Sequence, residues 1–142
     1  MVDADITYTD DLDVIDFPAL ITTLKADAFH NGIAPDELRE ACERSYAVVF
    51  ARDAGSTVGM ARLLSDGVVN AYLVDVWTLS PYRRRGIASA MVTRLLETVP
   101  GQHVALFTEH AESLYARLGF HRENVGMSLV REPWLRREPG TR

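Results

Sequence analysis

The stretch from Val68 to Ala88 constrains the fold more than any other part of the chain. Val68 to Leu79, VVNAYLVDVWTL, reads as one long strand, rich in β-branched and aromatic residues. It runs directly into Ser80-Pro81-Tyr82-Arg83-Arg84-Arg85-Gly86, where Pro81 cannot continue a ladder and ends the strand. Ile87, Met91, Leu95 and Leu96, with Ala88, Val92 and Val99, then recur at helical spacing until Pro100-Gly101 stops them. A strand that enters a helix through a turn exposes the unpaired amides of the first helical turn, and the helix dipole adds partial positive charge. The junction is therefore a candidate anion site. Gly86 and Ala88 allow close approach, because a larger side chain would hold a phosphate away, and three arginines add charge. The arginines alone would read as a solvated turn; joined to a strand exit, a glycine and an amphipathic helix they fit a bound polyanion. Neither GxxxxGK[ST] nor GxGxxG occurs, which counts against Walker-type and Rossmann nucleotide sites.

The rest of the chain supplies a frame for this junction. Ile6 and Tyr8 fit a short first strand, and Ile15, Leu20, Ile21, Leu24 and Ala28 fall on one face of a helix that Asn31-Gly32 breaks. Pro35 suits a first helical position, Asp36 and Glu37 favour the helix N-terminus, and Leu38, Ala41 and Cys42 form its apolar side. Tyr46 to Phe50 and Thr57 to Leu64 read as strands. With the turns at Asp53-Ala54-Gly55 and Asp66-Gly67 they make an antiparallel meander with Val68 to Leu79. Val104 to Phe107 is wholly apolar, as expected of a strand covered on both faces. Ala111, Leu114, Tyr115 and Leu118 share a helical face capped by Gly119, and Met127 to Val130 predicts a last strand. This order implies an α+β or α/β fold with a mixed sheet. The 142 residues suit one domain over 1–142, whose charged end, 136–142, is expected to fray.

Composition narrows the classes. No apolar run approaches the roughly 20 residues that span a bilayer. The opening MVDADITYTDD lacks the basic and apolar regions of a signal peptide, so no membrane association and a cytoplasmic location are expected. Cys42 is the single cysteine, which excludes an internal disulfide, and it is expected to fill a helix interface. The four histidines show no metal-binding spacing, so no metal is expected; His110 reads as a solvated loop residue. A net charge of −5 argues against nucleic acid as a partner, and Trp134 with Arg131, Arg136 and Arg137 reads as a fraying polar end rather than a dimer contact or nucleic-acid patch.

Two motifs carry a resemblance. Arg83-Arg84-Arg85-Gly86-Ile87-Ala88 fits [Q/R]xxGx[G/A], and Thr108-Glu109-His110-Ala111-Glu112-Ser113-Leu114-Tyr115-Ala116-Arg117-Leu118-Gly119-Phe120 fits NxxAxxLYxxxGF apart from Thr108 in place of asparagine. In this order, separated by a helix and a strand, they resemble the GNAT superfamily of acyl-CoA-dependent N-acetyltransferases, over about Tyr46 to Val130. The loop before the first motif is one residue shorter than usual in the family. The resemblance implies a central mixed, mostly antiparallel sheet of six to seven strands flanked by about four helices.

It also implies transfer of an acetyl group from acetyl-CoA to a primary amine by direct attack in a ternary complex. Arg83 heads the motif, and the backbone amides of Arg84, Arg85, Gly86, Ile87, Ala88 and Ser89 would hold the coenzyme pyrophosphate. Trp77, Thr78 and Leu79 would pair with the pantetheine, beside a bulge that splays their strand from the fifth. Leu79 or its neighbour would donate an amide to the developing oxyanion. Thr108, shorter than the family asparagine, weakens a contact to the pantetheine arm. Deprotonating an alkylamine near neutral pH costs about 4 kcal/mol, so a base is useful. Asp75, in phase with Trp77 and Leu79, can take that role, or can pair with Arg62 instead. Tyr115 aligns with the family tyrosine that serves the departing thiolate, by protonation or by hydrogen bonding; its structural alternative is packing with Leu118 and Phe120. A noncatalytic acyl-CoA-binding or regulatory module is the alternative function. The family often forms homodimers, and the acceptor amine is not legible here.

Overall fold

The structure is a computed structural model that describes residues 5–137. Strand β1 spans Ile6–Thr9, and helices α1, Phe17–Ala26, and α2, Pro35–Glu43, follow. The Asp16 carboxylate accepts the Ala19 amide at 3.0 Å and starts α1, and Pro35 begins α2 with Asp36 and Glu37 in its first turn. The meander is β2, Ala47–Asp53, β3, Ser56–Ser65, and β4, Asn70–Thr78. Helix α3, Ile87–Leu96, strand β5, His103–Ala105, and helix α4, Glu112–Arg117, complete the fold.

The sheet has the order β1-β2-β3-β4-β5, antiparallel except for the parallel β4–β5 pair. Val49, Ala51, Ala61, Leu63, Ala71 and Leu73, joined by Val58 at the register shift between β2 and β3, pack on one face, where Ile87, Met91, Val92 and Leu95 of α3 and Tyr115 of α4 cover them. Phe50, Met60 and Trp77 point to the other face, against Leu20, Ile21 and Leu24 of α1 and Leu38 and Cys42 of α2. Gly59 lets α3 seat closely: a Cβ there would lie 3.0 Å from Met91 Cε and 3.1 Å from Ala51 Cβ.

Three expectations need correction. The described residues contain five strands, not six to seven. Val104 to Phe107 is not a strand covered on both faces: β5 covers only three residues at the sheet edge, and Phe107 is exposed. Met127 to Val130 forms no strand, because β5 ends before it can offer a ladder of useful length, and Met127 and Leu129 stand in solvent. Near the end of the described residues Trp134 Nε1 donates to Asn31 O at 3.3 Å and Arg137 pairs with Glu37, so Trp134 and Arg137 are tied to the α1–α2 loop and to α2. Of the end expected to fray, residues 138–142 lie outside the described residues.

Candidate functional site

The basic turn is held from outside its own sequence. Ser80 to Tyr82 makes a single 3₁₀ turn, and the Tyr82 hydroxyl donates to Asp53 Oδ2 at 2.5 Å. Asp27, at the C-terminal end of α1, accepts from Trp77 Nε1 (2.9 Å), Ser80 N (3.2 Å), Ser80 Oγ (2.5 Å) and Arg83 Nη2 (3.3 Å). Burial alone would push the Asp27 carboxyl up, but the hydrogen bonds from Ser80 and Trp77 and the Arg83 charge outweigh it and hold it below the ordinary aspartate value. Sequence reasoning missed both aspartates, since neither lies near the turn along the chain.

Beyond these anchors the turn faces outward. Arg84 has φ 65° and Gly86 φ 81°, and the Arg85 guanidinium lies 5.0 Å from the Tyr82 ring centroid. Gly86 caps α3 in the left-handed conformation without a side-chain hydrogen bond, and the first backbone bond closing the helix runs from Ala90 N to Gly86 O. The amides of Ile87, Ala88 and Ser89 are thus the unpaired donors of the first turn. A Cβ on Gly86 would meet nothing within 4 Å, so the space before these donors is open to an anion. Arg83 behaves differently from its two neighbours: its guanidinium donates from Nε to Thr78 O at 3.0 Å and from Nη2 to Asp27.

The end of β4 forms the second half of the site. Its pairing with β5 stops at Tyr72 and Ala105, while β4 continues to Thr78, so the two strands part. A register shift against β3 falls between Met60 and Arg62, opposite Asp75, whose φ is 56°; this is the expected bulge. Leu79 N donates to Val58 O at 2.8 Å, so its amide belongs to the ladder with β3. Alternation then turns the Thr78 amide and carbonyl to the opposite, parted edge, as the Arg83 bond to Thr78 O also requires. Thr78, the neighbour of Leu79, is the better-placed amide. Its buried Oγ1 has no hydrogen-bond partner among the described residues. The Trp77 indole is buried in the α1–α2 core.

Asp75 does pair with Arg62, which donates to Oδ2 from Nε at 2.9 Å and from Nη2 at 2.8 Å. Arg62 also reaches Ser45 Oγ at 3.1 Å, which places the pair on the α1–α2 side of the sheet. Among the described residues Asp75 Oδ1 accepts no hydrogen bond, and about a quarter of the side chain, 27%, is exposed. Tyr115 is buried, with its ring edge-on to Phe120 at 5.8 Å, and burial pushes its phenol above the ordinary value. Thr108 Oγ1 accepts the Ala111 amide at 3.0 Å and so helps start α4. Cys42 lies between α1 and α2, where burial raises its thiol to about 11. His110 is exposed, and among the described residues no three metal-ligating side chains gather.

An acetyltransferase (GNAT) family model matches residues 13–120. Among solved structures, the chain is similar to a protein of Deinococcus radiodurans R1 assigned as an acetyltransferase, with 27% identity, 92% of this chain and 94% of that one covered, and a TM-score of 0.78. A Xanthomonas campestris pv. campestris protein assigned as a GNAT-family acetyltransferase shares 26% identity over 84% of this chain and 86% of its own, with a TM-score of 0.72. Glucosamine-6-phosphate N-acetyltransferase from Arabidopsis thaliana shares the fold alone, at 14% identity and a TM-score of 0.70, over 87% of this chain and 97% of that one. No curated protein matches the sequence.

Proposed function

Since the chain belongs to the GNAT acetyltransferase family, we propose that it transfers the acetyl group of acetyl-CoA to a primary amine by direct attack. The observation that carries this reading is the α3 N-terminus: three unpaired amides and an open space at Gly86, next to the gap where β4 leaves β5. The diphosphate would sit against Ile87, Ala88 and Ser89, with Arg84 and Arg85 adding charge. The pantetheine would run along the parted edge of β4 and bring the thioester carbonyl near the Thr78 amide.

The acceptor would approach from the α1–α2 side. Tyr72 and Phe107, whose rings meet edge-on at 5.8 Å at the parting point, would form an apolar rim for its carbon skeleton. Asp75 Oδ1 would take the amine proton directly or through water, while Arg62 holds the other oxygen and fixes the carboxylate. The free amine attacks the thioester carbon, the carbonyl oxygen gathers negative charge facing the Thr78 amide, and collapse breaks the C–S bond, the departing coenzyme thiolate taking up through water the proton that the new amide nitrogen sheds. Tyr115 would donate a hydrogen bond to that thiolate. Its raised phenol supports this role over complete proton transfer. Much of the rate would come from holding the two reactants together.

Calorimetry with coenzyme A and a thiol-release assay over an amine panel test the reading. Coenzyme A should bind, and thiol should appear only with both acetyl-CoA and an acceptor. Binding without thiol release from any amine would support a noncatalytic acyl-CoA-binding module, and absence of binding would remove both.

A further inference from the structure

We propose that Asp27 is a positioning residue for coenzyme binding: its carboxylate fixes the β4–α3 turn in the shape that presents the first amides of α3 to the diphosphate. The proposal rests on the reading of that turn as the acetyl-CoA site. The Asp27 side chain is only 9% exposed. A carboxylate removed from water to that degree is stable only where donors surround it, and its donors come from the three successive parts of the junction. Trp77 Nε1 belongs to the end of strand β4, the Ser80 amide and hydroxyl belong to the 3₁₀ turn, and Arg83 Nη2 belongs to the first residue of the signature. Through Arg83 Nε the same network reaches Thr78 O, on the parted edge of β4.

This arrangement divides the three arginines by task. Arg83, though half exposed, is charge-compensated by Asp27 and tied to Thr78 O, so it shapes the turn. Arg84, without an ion-pair partner among the described residues, and Arg85, stacked on Tyr82, remain on the outward side with the α3 amides. A loop already fixed in its bound shape loses less entropy when the ligand arrives, which is how a residue that does not touch the coenzyme strengthens its binding. The link also runs from the end of α1, on the acceptor side of the sheet, to the coenzyme turn.

The test compares the full chain with Asp27→Asn, which keeps the size but turns one acceptor into a donor facing donors and removes the charge opposite Arg83. The coenzyme A Kd and the acetyl-CoA KM should rise about tenfold or more, the scale of one lost charge-assisted hydrogen bond. The amine KM and kcat at saturating acetyl-CoA should stay within about twofold of wild type, a difference of only some 0.4 kcal/mol. Amide exchange over residues 80–86 should accelerate while Phe50 and Leu63 remain protected. A purely structural role would lower the active fraction and hence apparent kcat, leaving the acetyl-CoA KM unmoved, and that result would overturn the proposal. Should Asp27→Asn fail to fold, Ser80→Ala removes a single exposed donor and should raise the KM in the same direction; an unchanged KM there would count against Asp27. If the wild-type chain binds no coenzyme A, the functional reading fails, and exchange over 80–86 decides the positioning role alone: equal rates in both chains would refute it.

Discussion

At Gly86 the backbone sits at φ 81°, in the left-handed region, with open space where a side chain would begin. Gly86→Ala would place a methyl group in the region the diphosphate needs and impose a left-handed cost of about 1–2 kcal/mol. The coenzyme A Kd is expected to rise at least about tenfold, or about 1.4 kcal/mol, by calorimetry. Tyr115 poses a different question, because its side chain is buried and that burial pushes its phenol above the ordinary 10.0. The raised value means that the phenol stays protonated through neutral and mildly alkaline pH. Tyr115→Phe should lower kcat by about 10- to 100-fold, the worth of a hydrogen bond to charge, and leave the melting temperature nearly unchanged. A wild-type loss of kcat between pH 7 and 8 that vanishes in Tyr115→Phe would contradict this role.

Among the elements, the clearest division lies between strands that the pattern reveals and strands that need a partner. β2, β3 and β4 were legible because alternation and the turns at Asp53 to Gly55 and Asp66-Gly67 fix both face and register. The helix starts were legible too, from Pro35 and from the glycine and arginines before Ile87. Val104 to Phe107 misled because a wholly apolar run says nothing about how far the neighbouring strand follows it. Here β4 turns away beyond Tyr72, and Phe107 is left at the rim. Met127 to Val130 misled for the related reason that strand propensity cannot supply a missing edge. On the α1–α2 side of the sheet, Phe50 is fully buried and meets Phe17 edge-on with centroids 6.2 Å apart. Phe50→Ala should destabilise the chain by about 3–5 kcal/mol in urea unfolding, because α1 and β2 would face a cavity in the middle of their contact.

For the whole molecule, the candidate site was legible in its local half and hidden in its long-range half. Gly86, Arg84 and Tyr115 announce themselves through spacing, whereas the clasp of Arg62 on Asp75 and the choice of Thr78 over Leu79 depend on register and on the bulge. Long-range acid contacts also shape the response to pH. Asp27 lies below its ordinary 3.8. Glu37 lies below 4.5, held there by the Ala34 amide first and by Arg137 second. Carboxyls with lowered folded-state values stabilise the fold above their unfolded values and lose that contribution as pH falls through the folded ones. Urea midpoints should therefore hold steady from pH 7 to about 5 and drop below about 4.5. A midpoint that stays level down to pH 3 would contradict these contacts. The ties from Asp27 and Asp53 to the basic turn carry one more consequence, for transplantation. The RRRGIA hexapeptide, grafted between a strand and a helix of a foreign scaffold, should arrive as a limp cationic loop, because the chain that braces it was left behind.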